Sequence, residues 1–204
     1  MQSRLKFILV GLLPTLVGSL LLLTTSYVWL VFVSYHFLCL GIPTILRCYP
    51  KQAGLVLANP RRWLPITVVS VLILAIAAFL VVQISIFKTL LPSGWQTVSG
   101  RIHSWAWFVV YSLVINAFSE EYFWRGFLVP RIGIFPSAFG FWLLHFTALA
   151  ILFNPPSAIL MTLPIFGAAV FWGWLRQKFE SLWPCVITHI AADGAILWIM
   201  SLWK

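Results

Sequence analysis

Acidic residues are nearly missing from this sequence: its 204 residues include only Glu120, Glu121, Glu180 and Asp193. Charged residues of both signs make up 8% of the chain, where a soluble domain has about a quarter. That scarcity excludes an ordinary water-soluble domain. Cysteine is scarce as well, and Cys39, Cys48 and Cys185 are too scattered for a disulfide framework or a zinc spacing. Neither an internal repeat nor a low-complexity tract is present. The apolar runs are continuous rather than alternating, which excludes a β-barrel pattern. Arg4 and Lys6 precede an apolar run, as in a signal peptide, but no small-x-small cleavage site follows Leu23. An uncleaved first helix is the better reading.

What is present is apolar. Hydrophobic residues make up 62% of the chain and the mean hydropathy is +1.01. The sequence therefore predicts an all-α, polytopic transmembrane bundle of about seven spans, with six to eight as the range. Residues 5 to 46 are too long for one crossing of ~30 Å of hydrocarbon, and Thr24-Thr25-Ser26 offers the break. Spans near 7–23 and 27–46 result. The loop 47–62 follows, punctuated by Pro50 and Pro60. Later spans start at Trp63, near Trp105, and at about 134, 157 and 183, with polar connections at 88–101, 154–156 and 176–180. Residues 1–104 read as a variable set of N-terminal helices and 105–204 as the functional core of one membrane domain.

The net charge of +9 would point to nucleic acid in a soluble chain. Here the basic residues lie in loops and set orientation, so the partner is the lipid bilayer. With the N-terminus inside, ten of the 13 Lys and Arg residues face the cytoplasm, and only Lys88, Arg101 and Lys204 do not. Trp63, Trp105, Trp183 and Trp203 fall near predicted helix ends, where indole rings favour the interface. His36 and His103, which have no partners by spacing, read as interfacial. Glu180 sits in a basic loop and reads as solvated.

The adjacent pair Glu120-Glu121 is different, because its surroundings are apolar and aromatic. An acidic pair inside a membrane marks function by default. Glu121 and Arg125 share a helix face at i, i+4, in the favourable order, while Glu120 points about 100° away. His189 and Asp193 are also spaced i, i+4, and Phe141 lies one turn before His145. Placed by depth, the acidic pair, His145 and His189 fall in the cytoplasmic half of the bilayer. A buried Glu–Arg pair is often only a helix staple, and a lone intramembrane His is more often packing than catalysis. Together the three groups favour one polar site on three helices.

The series Glu120-Glu121-x-x-x-Arg125, Phe141-x-x-x-His145 and His189-x-x-x-Asp193 resembles the three motifs of the CPBP family. These are the CAAX-prenyl endopeptidases and bacteriocin-processing or Abi-type membrane proteins, regarded as glutamic intramembrane proteases. The resemblance covers about residues 105 to 203. It implies that Glu120 activates a water as general base and that His145 helps to position or deprotonate it. It further implies that His189 and Asp193 stabilise the oxyanion, and that Glu121, Arg125 and Phe141 order the site. Family members often carry Asn at the last position; Asp193 donates a hydrogen bond only when protonated, and otherwise orients His189. No metal or other cofactor is implied. The substrate would be a peptide or a membrane-anchored protein, and the location a prokaryotic cytoplasmic membrane. Two alternatives stay open: a zinc-dependent hydrolase, which lacks an HExxH-type spacing, and a non-enzymatic immunity, scaffold or carrier protein.

Overall fold

A computed structural model describes residues 2–25, 27–48, 50–57, 59–84, 102 and 104–202. His103, Trp203 and the polar connection at 88–101 lie outside the described residues. Among the described residues the chain is all-helical, without strands. Helix α1 spans Gln2–Thr24 and α2 spans Val28–Ile45, so the chain breaks at the polar triplet the sequence points to. A short helix α3, Pro50–Ala53, interrupts the first basic loop. Helix α4 runs Pro60–Gln83, with proline in its first turn, where the missing N–H costs nothing.

The central helix, α5, covers 105–132 and is not uniform. Two π-helical stretches, Ser112–Asn116 and Tyr122–Leu128, flank the α-helical turn Ala117–Glu121 that carries the acidic pair. Such wide turns inside a helix occur frequently at functional sites. α5 ends at Gly133, whose φ of 91° and ψ of 173° is cheap only for glycine. The chain then turns back into α6, Ile134–Leu152. Helix α7, Pro155–Phe179, begins at Asn154, whose side chain caps the Ser157 N–H. It closes with Arg176 and Lys178 in the last turn, where cations suit the helix dipole. Helix α8 is Trp183–Ser201.

Among the described residues six helices are long and apolar enough to cross a membrane: Arg4–Thr24, Val28–Ile45, Pro60–Gln83, Ile134–Ile151, Pro155–Phe179 and Trp183–Ser201. Around them the surface is apolar. Leu5, Leu9, Leu16, Leu20 and Leu23 on α1, and Leu72, Ile73 and Ile76 on α4, are exposed. An unbroken apolar surface of this kind belongs against lipid.

The later part of α5 is enclosed by its neighbours, whereas Trp107, Val110 and Val114 in its first part are exposed. Every residue from Ser119 to Val129 is buried, the behaviour of a helix enclosed on all sides. Trp124, Phe123, Phe127 and Leu128 form the core with Tyr35 and Cys39 of α2, Phe141 of α6, Trp172 of α7 and Cys185 of α8. Helix α6 approaches so closely that a Cβ on Gly140 would stand 2.7 Å from the Trp124 ring. Glycine there lets the next residue, Phe141, reach the middle of the bundle. Ser137 Oγ donates to the Trp124 carbonyl at 2.7 Å and Thr15 Oγ1 to that of Gly140 at 3.0 Å, fixing α6 from both sides.

Two sequence expectations change. Trp63 is buried, so it packs within the protein rather than resting at the interface. His36 is buried too, against Tyr111, because α2 turns that face inward onto α5. Trp183 stays near a helix end and donates its Nε1–H to the Leu55 carbonyl at 3.1 Å. Glu180 is exposed, as expected.

The charge distribution makes the orientation testable. With the 47–62 and 176–180 loops cytoplasmic, single cysteines at Gln52 and Gln177 in a variant lacking native cysteines resist an impermeant thiol reagent in intact cells. Ready labelling of both from outside reverses the orientation.

Candidate active site

α5, α6 and α8 bring all the motif residues to one region, and hydrogen bonds tie most of them together. Glu121 Oε1 accepts twice, from Arg125 Nη1 at 2.8 Å and from His189 Nδ1 at 2.8 Å. On the other edge of the same imidazole, Nε2 lies 3.5 Å from Glu120 Oε2 and 3.5 Å from Asp193 Oδ1. The two glutamates therefore diverge along α5 and meet again on opposite nitrogens of one histidine. The sequence pairs Glu121 with Arg125 alone; its second partner, His189, comes from helix packing that spacing does not reveal.

Burial makes these bonds matter. Arg125 is 1% exposed, Glu121 0%, Glu120 2% and His189 2%. Charges taken that far from water persist only when paired and hydrogen-bonded. Rings cover the faces that carry no hydrogen bonds. The Arg125 guanidinium lies 4.3 Å from the centre of Phe141 and 4.9 Å from that of Trp172, as a planar cation does over a π face. Trp172 also stacks on His189, with ring centres 4.4 Å apart and planes at 17°. Phe141 thus lines the wall between α5 and α6, in contact with Arg125, and Trp172 is an addition that no spacing announces.

His145 is placed differently. Its ring centre is 4.4 Å from that of Phe141, and its Nδ1 donates to the Phe141 carbonyl at 2.9 Å. It makes no hydrogen bond to Glu120, Glu121, His189 or Asp193 among the described residues. With the Nδ1 proton committed to a carbonyl, the neutral ring presents Nε2 as a free acceptor.

Asp193 is less enclosed than its neighbours, its side chain being 18% exposed. The sequence places it among apolar residues such as Ile190 and Ile196, yet its nearest partner is polar. Asn116 Nδ2 donates to Asp193 Oδ2 at 2.9 Å and lies 3.4 Å from Glu120 Oε2. No motif spacing marks Asn116. Its one visible signal was position, one turn before Glu120 on the same face.

Chemically, the cluster offers carboxylates that can accept a proton and an imidazole that can donate one. If Glu121 is ionised it accepts the Nδ1 proton of His189, so Nε2 carries a second N–H only in the imidazolium form. That N–H would point between Glu120 and Asp193. Among the described residues no three His, Cys, Asp or Glu side chains stand in a metal-holding arrangement.

Residues 102–195 match the family model described as Type II CAAX prenyl endopeptidase Rce1-like. By this match the segment is similar to the Rce1-like family. The match bears out the resemblance carried by the three motifs and supports a CAAX-type membrane peptidase in general. The Rce1-like segment contains all of α5 and α6 together with His189 and Asp193. The chain matches no curated protein and no solved structure.

Proposed function

We propose that the chain is a glutamic-type intramembrane endopeptidase, cutting a peptide or membrane-anchored protein close to the cytoplasmic face of a prokaryotic inner membrane. The observation that carries this reading is the buried cluster in which Glu120 and Glu121 meet the two nitrogens of His189 inside an Rce1-like segment. Residues 105–204 supply the chemistry, and the helices before them complete the bundle.

In this reading Glu120 is the general base that removes a proton from the attacking water. His145, with Nε2 free to accept, helps to orient that water. The water oxygen adds to the scissile carbonyl, and the developing oxyanion takes a hydrogen bond from His189 Nε2–H. Glu121 holds the other side of that imidazole, and Arg125 balances the charge on Glu121. The proton on Glu120 then passes to the leaving amine, so protons and electrons balance without a cofactor. A farnesylated CAAX peptide, a precursor with a leader, and a C-terminal membrane tail are the substrate classes this chemistry accommodates.

The test uses purified chain in liposomes with a fluorogenic panel drawn from those three classes. Cleavage of at least one member, undiminished by exhaustive chelation, is the expected result. Loss of cleavage on chelation, restored by zinc, makes the protein a zinc hydrolase. Intact, folded protein that cleaves nothing in the panel favours an immunity or scaffold role.

Asp193 is the other position open to test. Its Oδ2 accepts from Asn116, and an Asn side chain keeps an acceptor oxygen while adding an N–H donor. Asp193→Asn is therefore expected to keep most of the activity. Near-complete inactivation with an intact fold would show instead that an ionised Asp193 orients His189, as the carboxylate of a catalytic triad does.

A further inference from the structure

Two carboxylates crowd one edge of His189: Glu120 Oε2 and Asp193 Oδ1 each lie 3.5 Å from Nε2. A ring nitrogen carries at most one N–H, so it cannot satisfy both, and like charges gathered there repel. A further group must supply donors. Among the described residues that group is Asn116, whose Nδ2 donates to Asp193 Oδ2 at 2.9 Å and to Glu120 Oε2 at 3.4 Å. Chemistry fixes the orientation of this amide, since a flipped one would set Oδ1 against both carboxylates, lone pair against lone pair.

Helix geometry gives Asn116 its place. It closes the wide turn Ser112–Asn116, which packs against α8, and it lies one turn before Glu120 on the same face. Helix α8 passes close by: a Cβ on Gly194, the residue after Asp193, would stand 3.7 Å from Leu113 Cδ2 of that turn. A single N–H would be enough to staple α5 to α8. Asn116 has two, and its Nδ2 reaches a carboxylate on each helix. Asp193 is thereby engaged at both oxygens, Oδ1 facing His189 and Oδ2 bonded to Asn116.

We propose that Asn116 is a positioning residue of the site: its amide N–H groups bridge Glu120 on α5 and Asp193 on α8, and so keep both carboxylates on the Nε2 edge of His189. Without the bridge the carboxylates swing apart, and Glu120 no longer stands where it takes a proton from the attacking water. This role rests on the reading of Glu120 as the general base, but the bridge itself is tested without turnover.

The scarcity of acidic residues makes the experiment simple. Only Glu120, Glu121, Glu180 and Asp193 carry side-chain carboxyl groups, so the full chain labelled with ¹³C at Glu Cδ and Asp Cγ gives four such signals in lipid nanodiscs. Asn116→Leu keeps the size of the side chain and removes both N–H groups. It is expected to move the Glu120 and Asp193 signals and to leave that of Glu121, which Arg125 and His189 Nδ1 hold. Unmoved signals at Glu120 and Asp193 overturn the proposal, and so does equal movement of all three, the mark of a general disturbance. Should Asn116→Leu fail to fold, Asn116→Ala removes the same donors with a smaller side chain and is read in the same way. Turnover supplies a second readout. On a panel peptide that the parent cleaves, Asn116→Leu lowers kcat by about tenfold to a hundredfold, the worth of a hydrogen bond to a charged group, with KM unchanged. A parental kcat overturns the role. A cleavage assay on Glu120→Gln separates the two readings. Unmoved carboxyl signals in Asn116→Leu beside lost cleavage by Glu120→Gln sink the role of Asn116 alone, whereas moved signals beside parental cleavage by Glu120→Gln sink the glutamic mechanism alone.

Discussion

Glu120→Gln is expected to lower turnover by about 10² or more, the usual worth of a general base, while leaving protein levels and the bundle intact. The amide preserves the shape of the side chain and an oxygen facing His189 Nε2, which lies 3.5 Å from Glu120 Oε2, and it removes only the ability to take a proton. Steady-state kinetics on a cleaved panel peptide check this. A fall in kcat with an unchanged KM is the signature of an interaction made only in the transition state. Glu121→Gln behaves differently, because Glu121 Oε1 holds both Arg125 and His189. That change lowers folded yield as well as rate. Equal, purely structural damage from both substitutions would remove the basis for separating the two carboxylates.

Arg125→Leu has the largest expected effect on stability. Glu121 is fully buried beside Arg125, and breaking a buried ion pair from one side costs about 3–5 kcal/mol, here leaving the carboxylate with His189 alone. The guanidinium also packs on both Phe141 and Trp172. Lysine does not restore it, because a compact ammonium neither stacks nor donates in a planar fork. Denaturant titration of the purified protein in mixed micelles reads the loss as a lower midpoint for both Arg125→Leu and Arg125→Lys. A parental midpoint for Arg125→Leu would mean that the pair contributes nothing to the fold.

The helix plan was legible because its signals are local. Thr24-Thr25-Ser26 breaks the first apolar run, Asn154-Pro155-Pro156 starts a helix with its own cap, and acidic residues are so rare that Glu120 and Glu121 stand out at once. What periodicity does not carry is which faces meet. Asn116 has no motif spacing, and it meets Asp193 only because α8 packs against α5. Trp63 lies near a helix end, as an interfacial indole would, but is buried in the assembled bundle. The two π-helical stretches were hidden for a related reason. Their sequences, Ser112–Asn116 and Tyr122–Leu128, carry no spacing that separates them from the α-helical turns beside them. The double role of Glu121 follows from that winding together with the approach of α8.

The account stands or falls on whether this chain cuts membrane proteins by means of Glu120. The most direct measurement compares the termini of all membrane-associated proteins in cells producing the parent chain with those in cells producing Glu120→Gln at the same folded level. The predicted result is a small set of new protein ends, each near the cytoplasmic boundary of a membrane segment, present with the parent and missing with the variant. Identical sets of termini, with both proteins folded and equally abundant, would contradict it.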